Sequence, residues 1–355
     1  MRIVVATVVH DEEDARIRYR QIPALLADGH EVVYVAPMVD TNTSTVEIAG
    51  LERRVVPRAA GRRRLAAIRA AAKVLAAETT HADLTIVHDP ELTLLDRWIH
   101  GPRIFDVHED LPAQVVDKDW IPETIRQVVA QLAARLEGRA AKRFSLLLAE
   151  DSYRDRLGSH PVVLNLPVVP PRCPPSERGR AVHLGRLSFS RGVEVLVEVA
   201  ERLPAIAFES IGPVDDAALS VVASSSPNLT LAGRVPNPEA LSLIGGATAG
   251  LALLGDRPNY RGSMPTKVLE YMAHGVPVVA TPLPAVVDLV ERSGAGIVVP
   301  FDDPSAVVEA ITHLDGDDGL RGRCSAAGRR LAASYNWTVH APRFVEACRA
   351  VAEAG

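Results

Sequence analysis

The feature that most constrains this chain is a series of short apolar runs that hardly alternate. In the first half they are Ile3–Val8, Glu31–Ala36, Leu84–Val87, Ile104–Val107, Leu146–Ala149 and Val162–Leu164, each rich in Val, Ile or Leu. A strand buried on both faces reads this way, because neither side is presented to water. Helical patterns fill the intervals. Within Ile121–Phe144, for example, Ile125, Val128, Val129, Leu132 and Leu136 recur at helical spacing, with Pro122 in the first turn. Strands alternating with helices make βαβ units, and hence a doubly wound parallel sheet.

After Leu166 the stretch PVVPPRCPPSERGR is dense in proline and has no apolar period, the mark of a semi-rigid connector. The alternation then restarts in Val182–Leu184, Ile206–Ile211, Leu229–Leu231, Gly250–Leu254, Val276–Ala280 and Ile297–Val299. The expectation is an α/β chain of two Rossmann-like parallel-sheet domains. The first covers residues 1–168, a linker 169–180, the second domain 181–335, and a terminal helix 336–355. Two such domains on one hinge are expected to face a cleft at the C-terminal ends of their strands, the edge where open α/β sheets bind ligands.

Composition narrows the function classes. The 355 residues suffice for two cores, and 47% hydrophobic against 23% charged residues excludes a disordered chain. A net charge of −5 argues against a nucleic-acid partner. Cys173, Cys324 and Cys348 lie far apart with no CxxC spacing, so neither a disulfide framework nor a zinc site is expected. The opening MRIVVATVVHDEED reaches acids too early for a secretory signal, and no apolar run is long enough to span a bilayer. The expected compartment is the cytoplasm.

In the second half, HLGRLSFSRG places Arg186 and Arg191 just past a strand, where two guanidiniums can grip a diphosphate in bidentate fashion; two solvated surface arginines fit the residues equally well. In NYRGSMPTKVLEYMAHGVPVVAT, Gly262 and Ser263 lead into a helix with Pro265 in its early turn, and its first amides are available to an anion. Lys267 and Glu270 share one face of that helix, suited to a phosphate and to ribose hydroxyls, or simply to each other as an ion pair. LTLAGRVPNPEAL puts Gly233–Pro236 at a strand end, either a backbone edge for a base or a plain turn. In the first half, His10–Arg16, His88–Leu92, Asp106–Pro112 and Ala149–Tyr153 all follow strands. Histidines mixed with carboxylates invite a metal reading, but the sequence shows no converging ligand set, and the expectation is no metal.

In this order, the GRL…RG turn, SMPTKVLEYMAHGVPVVAT and GAGIVVP resemble the C-terminal domain of GT-B glycosyltransferases of family four, the retaining, nucleotide-sugar-dependent transferases. The first half resembles the N-terminal domain of a branch that reads DVHED, then an aromatic or Leu, then Pro and a WIP helix: here DVHEDLPAQVVDKDWIPETIR, with HDEEDAR in place of a glycine-rich loop. The resemblance implies a donor site of Arg186, Arg191, Gly233, Val235, Ser263, Met264, Pro265, Thr266, Lys267 and Glu270. Arg186 and Arg191 would hold the diphosphate and Glu270 the ribose. The family carries a pair of glutamates here; Gly262 stands at the first position, which leaves the sugar open. His108 would lie beside the transferred sugar with Glu109 and Asp110 facing the cleft, and the terminal helix would cross back to the first domain. The catalytic set is then His108, Glu109, Arg186 and Arg191.

The implied reaction moves a sugar, with retention, from a nucleoside diphosphate (UDP first) to a hydroxyl of a saccharide, lipid-linked or small-molecule acceptor, in glycan, glycolipid or secondary-metabolite synthesis. No cofactor or metal is required. A nucleotide-sugar epimerase using the cleft carboxylates, or a non-catalytic binding protein, stands as the alternative. Residues 53–73 hold Arg53, Arg54, Arg58, Arg62, Arg63, Arg64, Arg69 and Lys73 in what reads as a largely helical segment, either a solvated face or a weak peripheral contact with the inner face of a membrane.

Overall fold

The computed structural model describes residues 1–37, 47–116, 121–223, 227–264 and 266–355. The chain divides into two compact units, Met1–Asn165 with His340–Gly355, and Leu166–Val339.

The first unit is built on six parallel strands: β1 (Arg2–Ala6), β2 (Glu31–Ala36), β3 (Leu51–Val55), β4 (Leu84–Val87), β5 (Arg103–Val107) and β6 (Ser145–Leu148), in the order β3-β2-β1-β4-β5-β6. Ile3 of β1 lies between Val32 of β2 and Leu84 of β4, and all three are buried. Helices on both faces account for the missing alternation. β3 departs from the sequence reading, which took its residues into the basic helical segment. It is an edge strand reading LERRV, with Arg53 ion-paired to Glu12 and Arg54 to Glu78. Charge on an edge strand blocks further pairing, and it also removes the apolar signal. The strand expected at Val162–Leu164 is reduced to one bridge, between Leu148 and Val162.

The helix Glu123–Ala140 buries Ala130, Ala133 and Ala140, while Ile125, Val128 and Leu132 are about half exposed. Its alanines face the protein, joined by the partly buried Val129, because small residues permit a close approach to the neighbouring helix Leu111–Val116. The basic helix Arg64–Glu78 likewise packs through Ala67, Ala71, Ala72 and Leu75. The terminal helix Trp337–Ala354 buries Phe344 and Cys348, and its residues from His340 onward count with the first unit.

The second unit repeats the plan with β7 (Arg180–Leu184), β8 (Ala207–Ile211), β9 (Leu229–Gly233), β10 (Ala249–Ala252), β11 (Val278–Ala280) and β12 (Gly296–Val298), in the order β12-β11-β10-β7-β8-β9. Gly250 in β10 has a steric reason: a Cβ there would meet the Tyr271 ring at 2.5 Å. That ring, on the helix Thr266–Ala273, sends its hydroxyl into the sheet, accepting from Leu184 N (2.7 Å) and donating to Leu251 O (3.1 Å). In each sheet the strand order reverses once, between β1 and β4 and between β7 and β10. Loops leaving such a switch point diverge, and the crevice they open is where doubly wound sheets take ligands.

Candidate functional site

In the second unit the loops after β7 and β10 meet at the switch point. The β7 loop ends in a tight turn, Phe189–Arg191, and then Gly192 at φ 81°, which starts the helix Val193–Arg202. A Cβ on Gly192 would lie 2.6 Å from both the Cβ and the carbonyl oxygen of Leu253, so only glycine lets the two loops touch. Gly255 N donates to Ser190 O at 2.9 Å, and Ser190 Oγ lies 3.0 Å from Tyr260 Oη.

Arg191 sits on this turn, close enough to act electrostatically on both Lys267 and the buried His183 of β7. Lys267 Nζ is 3.2 Å from His183 Nε2, and His183 Nδ1 is 3.2 Å from Ser210 Oγ. Burial, Lys267 and Arg191 push His183 well below its ordinary range, so it is a neutral imidazole. An ammonium only donates, so Nε2 accepts from charged Lys267 while Nδ1–H donates to Ser210. Burial and Arg191 push Lys267 down to about 7, against the pull of Glu270. Two half-buried cations thus gather around a buried neutral histidine, with the Glu270 carboxylate as the acid acting on Lys267.

The remaining expected donor residues are spread around it. Glu270 is buried, one turn after Lys267. Ser263 Oγ donates to Asn259 O at 2.8 Å, Met264 and Thr266 are partly buried beside it, and Pro265 lies outside the described residues. Gly233, at φ 68°, closes β9, and Val235 is partly buried in the turn before the helix Asn237–Ile244. Arg186 differs from Arg191: it lies half-exposed with its guanidinium on Asp215.

In the first unit the cluster forms on β1, β4 and β5. Asp89, buried after β4, accepts from the Thr7 hydroxyl (2.9 Å) and from the amides of Val8 and Val9, tying the β1 loop across the switch point. His10 lies 3.2 Å from Asp14 and 3.6 Å from Asp89. Burial works to lower its pKa, but Asp14, Asp89 and Glu109 outweigh that and raise it to about 9. Its ring centroid is 5.1 Å from that of His108.

His108 follows β5, its Nε2 3.0 Å from Asp106 Oδ2 and 2.8 Å from His88 Nδ1, while Tyr153 Oη donates to its carbonyl. Burial holds His88 down at about 4, hence neutral. Burial disfavours the Asp106 carboxylate, yet the Arg16 guanidinium and His108 hold it well below the usual range. Arg16 grips it with Nε (2.9 Å) and Nη2 (2.8 Å), and Gln21 Nε2 adds a third donor at 2.6 Å. Glu109 is exposed, and Asp110 accepts from Ala113 N at 3.0 Å, the geometry of a helix cap.

His88, Asp106 and His108 offer nitrogen and oxygen atoms within 4.8 Å of one another, a spacing a cation would accept. The same atoms are already joined by hydrogen bonds, and the Arg16 guanidinium stands where it offsets the charge of Asp106.

Residues 178–317 match the family model of the group 1 glycosyl transferases. Over 305 residues, covering 77% of this chain and 75% of the relative, it is 26% identical to a phosphatidyl-myo-inositol mannosyltransferase of Mycobacterium leprae. The fold is the GT-B fold, and residues 178–317 resemble the group 1 glycosyl transferases. Among solved structures, the chain superposes on a sucrose-phosphate synthase from Thermosynechococcus elongatus with a TM-score of 0.75 at 16% identity, covering 100% of both chains. It also superposes on HepE of Anabaena, solved with UDP and glucose, with a TM-score of 0.71 at 14% identity, covering 97% of this chain and 98% of that one.

Two polar residues of these clusters, His183 and Gln21, are not singled out by the sequence. His183 is hidden as the one fully buried polar residue of β7. Gln21 is hidden because it lies five residues from Arg16, on one side of a single π-helical turn, Ile17–Gln21; helical spacing of three or four would not pair them. A π turn inserted near a site is itself a signal, readable only in the structure.

Proposed function

We propose that this protein moves a sugar from UDP to a hydroxyl acceptor with retention of configuration and without a resident metal. The observation that carries the reading is the Arg191–Lys267–His183 group, with His183 buried and both cations half-buried, set at the switch point before the helix Val193–Arg202. Fixed donors aimed at a leaving diphosphate stabilise the charge that develops on it, with no reorganisation during reaction. Arg191 and Lys267 take the diphosphate, Glu270 the ribose hydroxyls, and Gly233 and Val235 the base through their backbone. Arg186 joins the diphosphate by exchanging Asp215 for it. His108 meets the transferred sugar, and Glu109 lies toward the acceptor. As the bond from the anomeric carbon to the phosphate oxygen breaks, the acceptor oxygen bonds to that carbon on the same face, and its proton passes to the departing phosphate. UDP is favoured by its presence in the solved HepE neighbour. The basic residues of 53–73 are offered to an anionic membrane surface, which suits a lipid-linked acceptor.

Calorimetric titration of UDP, GDP, dTDP and ADP, with magnesium and with EDTA, tests the donor site. UDP should bind selectively at micromolar concentration, independently of magnesium, and Glu270→Gln should weaken it. Magnesium-dependent binding, or none to any diphosphate, overturns the proposal.

A further inference from the structure

Asp106 Oδ2 collects hydrogen bonds from three side chains, Arg16, Gln21 and His108, and is fully buried. A carboxylate can only accept, so the His108 nitrogen 3.0 Å away carries a hydrogen, and that nitrogen is Nε2. His88 Nδ1 lies 2.8 Å from the same nitrogen and 3.4 Å from Asp106 Oδ2, so it too meets the His108 ring at Nε2. Every contact of the His108 ring with Asp106 and His88 is therefore made through Nε2.

We infer that Asp106, clamped by Arg16 and Gln21 across the π-helical turn, is the positioning residue that fixes the hydrogen of His108 on Nε2 and presents its Nδ1 lone pair to a substrate hydroxyl. The inference rests on the reading that His108 meets the transferred sugar. Within it, the working atom is Nδ1, acting as a hydrogen-bond acceptor or base. The π turn has a purpose here, since its five-residue spacing sets Arg16 and Gln21 side by side on one carboxylate. The logic is that of any histidine whose tautomer is set by a buried acid behind it: geometry survives loss of the acid, but the lone pair is delivered on the wrong atom.

Nitrogen-15 NMR of histidine-labelled protein under mildly alkaline conditions reads the tautomer directly, with His108→Ala identifying the signal. The wild-type ring should show a hydrogen on Nε2 and a bare Nδ1; a hydrogen on Nδ1 overturns the inference. Arg16→Met with Asp106→Leu exchanges the buried pair for apolar side chains of similar size, a replacement that folds tolerate. This variant should lose the fixed tautomer, and kcat for release of UDP from UDP-glucose should fall about 100-fold, with KM within about twofold of wild type. Gln21→Met, which removes a single donor, should give the same pattern at about tenfold or less, and keeps the test open if the double variant does not fold. Unchanged kcat in both, alongside a loss in His108→Ala, overturns the positioning role. Wild-type kcat in His108→Ala overturns instead the sugar contact on which the role rests, while the tautomer result still reports on Asp106.

Discussion

Lys267 is the residue most out of balance. Burial and Arg191 hold it down at about 7, and a bound diphosphate reverses the second of these influences by bringing negative charge to the ammonium. Binding at a pH above about 7 must then take up a proton, so UDP affinity should fall as pH rises, by up to about tenfold per unit. Calorimetry in buffers of different ionisation enthalpy counts that proton, and Lys267→Met should both weaken binding and flatten the profile. A wild-type affinity independent of pH would take Lys267 off the phosphate. His10 has a different sign and a different readout. Its pKa is raised from 6.5 to about 9 in the fold, so its contribution to stability is complete below 6.5 and lost as pH climbs through 9. The shift bounds that contribution at about 3 kcal/mol. Denaturant midpoints of wild type and His10→Gln should therefore differ most below pH 6.5 and converge above 9; a constant difference would mean that the ion pair with Asp14 is not what holds the ring.

At the level of elements, the Tyr271 hydroxyl ties the helix Thr266–Ala273 into the second sheet. Tyr271→Phe leaves Leu184 N–H buried with its acceptor gone, which should cost about 1–3 kcal/mol in urea unfolding; no measurable change would show the amide finding water instead. The same helix shows what a sequence reveals. The strands β1, β4 and β10 were legible because burial on both faces leaves an apolar run, and β7 was legible despite His183 within it. β3 was not, because an edge strand carries charge where a central one carries valine. The helix Glu123–Ala140 was legible as a helix but not in its facing, since alanine packs closely without contributing much apolar signal. Within the clusters, residues at strand ends could be found from their position alone. Asp106 as the centre of a hydrogen-bonded network could not, because Arg16 and Gln21 reach it only through a π turn that no standard period describes.

For the molecule as a whole, the charge distribution is uneven. The net charge is −5, yet Arg58, Arg62, Arg63, Arg69 and Lys73 are all exposed within one stretch. Arg53, Arg54 and Arg64 are partly neutralised by Glu12, Glu78 and Glu91, so the sequence overstates the patch. Among the described residues no helix is long and apolar enough to cross a membrane, and Leu65, at 69% exposure, is the bulky apolar side chain nearest the exposed arginines along the helix. Any contact with a bilayer is thus electrostatic, about 1 kcal/mol for each arginine or lysine near an anionic surface, and screened by salt. The protein should sediment with phosphatidylcholine vesicles containing phosphatidylserine and not with phosphatidylcholine alone, and molar salt should release it. Arg62→Glu with Arg63→Glu and Arg69→Glu should cut partitioning by about tenfold or more while leaving UDP affinity unchanged. Equal sedimentation with neutral vesicles, or wild-type partitioning by the triple variant, would return these arginines to solvent and leave the acceptor to be sought among soluble hydroxyl compounds.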